Sequence, residues 1–165
     1  MASIPLVGKL TVQRARSLII QLKEASLSSN VLYLQIKSHG GRLRAYAEIA
    51  NAMLELSQKG VKFIGQADEV GSAAMLVYLN CDERWVRPGS GGFIHLPIPN
   101  NKKMSEESVT LERQKIVNFI SERTGLSSEK IISLDNIPLL SNEMVVYRIA
   151  TKKVPSFSLT PVEPV

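Results

Sequence analysis

The stretch that decides the fold is Val31-Leu32-Tyr33-Leu34-Gln35-Ile36-Lys37-Ser38-His39-Gly40-Gly41. Val31 to Ile36 is a short apolar run rich in residues that suit a pleated strand. Gly40-Gly41 punctuates it. Beyond the glycines, Ala45, Ile49, Ala52, Met53 and Leu56 recur at helical spacing, and Gly60 ends the pattern. One strand, one tight turn and one amphipathic helix make a single βα unit. Toward the N-terminus, Thr11 is placed as an N-cap, with Val12, Ala15, Leu18, Ile19 and Leu22 marking a helix after it.

Toward the C-terminus the alternation continues. Val61 to Ile64 reads as a strand. Ser72 to about Cys81 is apolar, alanine-rich and long enough for a buried helix. Trp85-Val86 reads as a short strand stopped by Pro88-Gly89, and Phe93-Ile94-His95 as another, closed by Pro97. Ser105 to Arg123 carries Val109, Ile116, Val117 and Ile120 on one long helix that Gly125 ends. Ser127 and Ser141 are read as caps of two short helices. Pro97, Pro99 and Asn100-Asn101 predict a loop after His95. This order implies an α/β fold with a mostly parallel sheet covered on both faces. Ligands of such sheets bind beyond the carboxyl ends of the strands, where Gly40-Gly41, Ser72 and His95 should gather.

The chain has 165 residues, enough for one domain with a sizeable core. At 44% hydrophobic and 21% charged it has the balance of an ordinary globular protein. There is no apolar run of membrane-spanning length. Met1 to Gly8 lacks the basic start and apolar stretch of a secretory signal, so a cytoplasmic location is expected. Cys81 is the only cysteine, which excludes an internal disulfide and suits a small buried hydrophobe. Two histidines and one cysteine make no convincing zinc set, so no metal role is expected. The net charge is +5, but the basic residues are scattered and only Lys102-Lys103 and Lys152-Lys153 are adjacent lysines. Aromatic residues do not interleave with them, so a solvated surface is expected and not a nucleic-acid site. Residues 1–154 read as one domain. Residues 155–165, with Pro155, Pro161 and Pro164, read as an extended tail.

Acyl transfer needs a nucleophile, a base within reach and donors for the oxyanion. Ser72 at a helix start, with the Ala73 N–H behind it, could supply the first and one of the donors. Gly40 or Gly41 could supply the second donor, because glycine lets a carbonyl approach the backbone. His95 could move the proton. Each piece also has an ordinary reading, as an N-cap, a structural histidine beside proline, or a tight turn. Spacing alone leaves a phosphate-binding or acyl-CoA-binding α/β domain open.

From Pro5 to Val154 these residues resemble the Clp protease proteolytic subunit family, closest to its shorter prophage-type members. Val31 to Gly41 is similar to the family's strand and N-S-P-G-G turn, and Gly65-Gln66-Ala67 to the start of its G-x-A segment. Ser72-Ala73-Ala74 with Cys81-Asp82 and Arg84 is similar to its S-A-A…G-D segment. Phe93-Ile94-His95-Leu96-Pro97 resembles M-I-H-x-P. Arg123-Thr124-Gly125-Leu126 with Leu139-Leu140-Ser141 resembles its A-R-T-G…F-L-S close. His95 lies 23 residues after Ser72, the prophage-type register. The resemblance implies a crotonase-like spiral of βα units and a serine endopeptidase acting on unfolded polypeptides. It also implies assembly into seven-membered rings, a ring-forming ATPase partner, and no cofactor, nucleic acid or membrane partner.

It further implies Ser72 as nucleophile, His95 as base, and Gly40, Gly41 and Ala73 around the oxyanion. The family's acidic third member falls on Ile137, which leaves Asp135 as the assigned candidate and Asn136 as the other polar neighbour. Further departures are His39 in place of the turn proline and a longer segment before Ser72 bearing Asp68-Glu69. In the register of longer members, Val70 would fall at the nucleophile. Arg148 stands where the family has glycine. Two other functions remain open on these residues: a non-catalytic Clp-like subunit, and a crotonase-type acyl-CoA enzyme with Glu69 as base.

Overall fold

The computed structural model describes residues 2–97 and 106–155. The first βα units form where the apolar periodicity places them. β1 (Ala2–Val7) leads into α1 (Val12–Ser26), and β2 (Val31–Ser38) into α2 (Leu43–Gln58). Thr11 caps α1 by accepting the Arg14 N–H at 3.0 Å. Leu32, Leu34 and Ile36 of β2 are fully buried in one cluster with Ala15, Leu18 and Leu22 of α1 and Ala45, Ile49 and Met53 of α2. Burying each such leucine or isoleucine contributes about 1.5–3 kcal/mol.

β3 (Lys62–Gly71) runs into α3 (Ala73–Leu79), and β4 (Glu83–Phe93) follows. Then come α4 (Glu106–Thr124), α5 (Ser128–Ser133), β5 (Leu139–Leu140), α6 (Ser141–Val146) and β6 (Lys152–Lys153). The sheet order is β1-β2-β3-β4-β5, with β6 beside β4. β1 to β4 are parallel, β6 is parallel to β4, and β5 is antiparallel to it. This is the mostly parallel α/β architecture expected. None of the described helices is long and apolar enough to cross a membrane.

Coverage differs from the expectation of two buried faces. Along β2, buried residues alternate with half-buried Tyr33 and Gln35 and exposed Lys37, so only one face is fully packed there. β3 alone is buried through its middle, at Phe63, Ile64, Gln66 and Ala67.

The strands beside the candidate site are also longer than local propensity suggests. β3 extends to Gly71, and β4 runs through the strand expected at Trp85-Val86 to Phe93, the first residue of the second expected strand, with Ile94 and His95 beyond its end. Pro88-Gly89 does not end β4 because the break is absorbed as an excursion. Ala67 pairs with Val86, Glu69 pairs with Gly91, and Arg87 to Ser90 lies opposite Asp68 alone.

Helix ends show two further differences. Ser127 caps α5 as expected, by accepting the Lys130 N–H. Ser141 is instead the first residue of α6, and the Glu143 carboxylate caps by accepting the Leu140 N–H at 3.0 Å. Arg148 follows α6 with φ of +59°, taking the left-handed stop that glycine usually fills. Its Nε donates to Thr124 O at 2.7 Å, which offsets that strain. The loop expected at Pro99 to Asn101, the start of the long helix at Ser105, and residues 156–165 of the tail lie outside the described residues.

Candidate active site

Ser72 joins β3 to α3 in a conformation that serine rarely adopts, φ +54° and ψ −125°. Holding a non-glycine residue there costs on the order of 1–3 kcal/mol. The ordinary reading of Ser72 as a side-chain cap of α3 does not hold, for it makes no side-chain cap bond. A sharp strand-to-helix turn of this kind presents a serine hydroxyl at the end of a sheet. Its surroundings fit: a methyl on Gly71 would lie 2.2 Å from the Phe93 ring, and one on Gly40 would lie 2.6 Å from Ser72 Cβ. Val70, the alternative position, is fully buried in β3 and paired with Ser38 and Gly92.

Gly40 has φ of +100° and packs against Ser72 Cβ and the Ala73 nitrogen. Its own N–H donates to the buried Ser38 Oγ at 3.1 Å. Gly41 forms a bridge with Leu10, in which Leu10 N donates to Gly40 O and Arg42 N donates to Leu10 O, each at 2.9 Å. Among the described residues, the N–H groups of Gly41 and Ala73 have no acceptor. The turn thus brings Gly40, Gly41, Ser72 and Ala73 together and leaves two donors unused.

His95 sits just beyond β4. The Ser72 N–H donates to Phe93 O at 3.3 Å, and Gly71 pairs with Phe93, so Ser72 and His95 stand on neighbouring strand ends. The residues around His95 are clamped by the loop after α5. Asn136 N donates to Ile94 O at 2.8 Å, and Asp135 Oδ1 accepts the Leu96 N–H at 2.8 Å. The imidazole Nδ1 meets Asn136 Oδ1 at 2.7 Å. Asn136 has φ of +60°, a conformation asparagine tolerates well. The side chain on the ring is therefore that of Asn136, while the Asp135 carboxylate is spent on the backbone of Leu96. The signal available in the sequence was Asn136 beside Asp135. Choosing between them required the loop's left-handed turn, which aims consecutive side chains differently.

The acids of the extended segment are both paired. Asp68 pairs with Arg87, and Glu69 Oε2 with His39 Nε2 at 3.1 Å. The bulge and excursion in β3 and β4 make the first pair possible, so negative charge beside Ser72 is partly neutralised.

An apolar cavity of about 270 Å³ lies between α2, α3 and α4, lined by Leu43, Tyr46, Leu76, Ile116 and Phe119 among others. Burial pushes the Tyr46 phenol up to about 12, so it is neutral at ordinary pH.

The chain matches the sequence model of the Clp protease family over residues 1–139. Among solved structures it is similar to ClpP1 from Listeria monocytogenes, with 25% identity and a TM-score of 0.80, over 94% of this chain and 92% of that one. An asparagine-to-aspartate variant of that ClpP1 matches at 24% identity and a TM-score of 0.79, over 93% and 91%. No curated protein matches the chain. The crotonase-like sheet, the strained serine turn and the match along most of the sequence agree, and the chain belongs to the Clp protease family as a serine-type peptidase subunit.

Proposed function

We propose that the chain cleaves unfolded polypeptides through an acyl-enzyme on Ser72, with His95 as general base and Asn136 as its orienting partner. The observation that carries this reading is the strained turn at Ser72, whose hydroxyl is not used to cap α3. With Nδ1 facing Asn136 Oδ1, the ring proton belongs on Nδ1 and Nε2 is left to accept from Ser72 Oγ. Ser72 Oγ then attacks the scissile carbonyl carbon as its proton passes to Nε2. The oxyanion forms opposite the Gly41 and Ala73 N–H groups. Gly40 contributes by lacking a side chain. The C–N bond breaks as Nε2 returns the proton to the leaving amine, and water attacks the ester by the reverse route.

Asp135 holds the Leu96 backbone and so fixes the segment that carries His95. The apolar cavity begins two residues after Gly41, at Leu43, and includes Leu76, four residues after Ser72. It suits an apolar side chain of the substrate next to the cleaved bond. Glu69 is committed to His39, which argues against a crotonase-type carboxylate base.

Proteins of this family form oligomeric rings and cleave polypeptides. The finer reading is a seven-membered ring working in the cytoplasm with a ring-forming ATPase that unfolds and feeds substrates. Labelling with a fluorophosphonate tests the chemistry: wild-type protein should label and folded Ser72→Ala should not. Wild-type protein that is folded yet unlabelled would overturn it. Sedimentation tests the ring, and a stable monomer at high concentration would refute that part.

A further inference from the structure

The carboxyl ends of β1 and β2 frame a second cavity, of about 390 Å³, whose lining includes Gly8, Lys9, Lys37, His39, Gly40 and Glu69. Gly40 belongs both to this cavity and to the nucleophile's surroundings, since a methyl on it would touch Ser72 Cβ. Successive residues of an extended chain are about 3.3 Å apart. A polypeptide with a carbonyl at Ser72 therefore has neighbouring residues within reach of the cavity.

The cavity's charge is unbalanced. Lys9 and Lys37 are exposed. The ion pairs recorded among the described residues are Arg16–Glu48, His39–Glu69, Lys62–Glu83 and Arg87–Asp68, so neither lysine is neutralised there. Arg14 adds a third cation at the rim, where its guanidinium donates to Val7 O and lies beside Gly8. Glu69 is the one acid in the lining, and its carboxylate is engaged by His39. The cations stand on fixed backbone: Gly8 N donates to Lys37 O and Leu10 N to Gly40 O, each at 2.9 Å.

We propose that this cavity is a subsite for a carboxylate of the substrate polypeptide, held by Lys9 and Lys37 beside the bond to be cut. The proposal rests on the peptidase reading of Ser72 and adds a charge preference to it. The carboxylate can come from an acidic side chain or from the free C-terminus of a peptide.

The test uses full-length Ser72→Ala protein and fluorescence anisotropy with three dye-labelled peptides of one backbone. The first is amidated and carries an internal glutamate, the second is amidated and neutral, and the third is neutral with a free C-terminus. Tighter binding of the first or third over the second, by about fivefold at low salt and fading at high salt, supports the subsite and names the carboxylate's source. Lys9→Glu with Lys37→Glu should reverse the preference toward a lysine-bearing peptide. If that variant melts early, Lys9→Gln with Lys37→Gln should abolish the preference instead. Equal binding of all three peptides, or a preference that survives the lysine substitutions, overturns the proposal. Loss of the peptidase reading shows separately, as wild-type protein that binds peptide and cleaves none.

Discussion

The contact between His95 Nδ1 and Asn136 Oδ1, at 2.7 Å, yields the sharpest prediction. Asparagine orients the ring but brings no charge to the imidazolium that forms during the reaction. Replacing it by aspartate puts a unit negative charge at the same distance. Even at the permittivity of water this is worth about 1.5 kcal/mol, from 332/(ε·r). Stabilisation of a cation present only in the transition state translates into about tenfold in turnover. Asn136→Gly suits the φ of +60° and removes the side chain without straining the backbone. It should lose a hydrogen bond and the ring's orientation, and slow turnover about ten- to a hundredfold. Asp135→Asn keeps an acceptor for the Leu96 N–H and should change turnover by less than about threefold. The assay is hydrolysis of a small activated ester and of a fluorogenic peptide, with thermal melts to confirm folding. Asn136→Asp no faster than the parent would refute the electrostatic reasoning. Asp135→Asn more damaging than Asn136→Gly would return the orienting role to Asp135.

Gly40→Ala should abolish fluorophosphonate labelling and lower stability by about 2 kcal/mol or more, because its methyl collides with Ser72 at a φ of +100°; denaturant melts check the second part. Arg84 is 5% exposed, and its guanidinium is held by the carbonyls of Cys81, Arg123, Arg148 and Ile149. Arg84→Met leaves those acceptors unpaired and should cost about 3–5 kcal/mol in urea unfolding. Burial pushes the Cys81 thiol from 9.0 up to about 12, so the folded state keeps a proton that the unfolded chain releases. The stability from this group is intact below pH 9 and lost as the pH rises toward about 12, by about 1.4 kcal/mol per unit. Alkaline melts should show that slope between pH 9 and 10, below the range where the buried Tyr46 and Tyr78 phenols add their own, and Cys81→Ala should remove it there.

Much of the α/β order was legible because local and tertiary signals agreed. Leu32, Leu34 and Ile36 alternate toward the core, and Ala45, Ile49 and Met53 share a helix face that covers them. Ser72 and His95 were legible as positions because both follow strands. The failures share a cause. Pro88-Gly89 reads as a stop in any local window, yet β4 resumes because Gly91 and Gly92 can lie against β5 and β3, where a methyl would meet Leu139 O and Val70 O. Ser72 at a helix start also has an ordinary reading as a cap, and its strained turn is not visible in a local window because it depends on Gly40 and Gly71 leaving room around it. Asn136 was indistinguishable from Asp135 by spacing, since the choice depends on one left-handed residue.

The Arg84 clasp also has a temporal meaning. α3 begins right after Ser72, and the carbonyls at its far end, Leu79 O and Cys81 O, are tied down by Arg123 and Arg84. Arg84 is in turn closed over by Arg148 and Ile149. During synthesis, these late residues must leave the ribosome before the helix behind Ser72 is locked. A half-made chain thus carries Ser72 next to a helix whose far end is still untied, and the proposed site is complete only once Asn136 and these late residues have emerged.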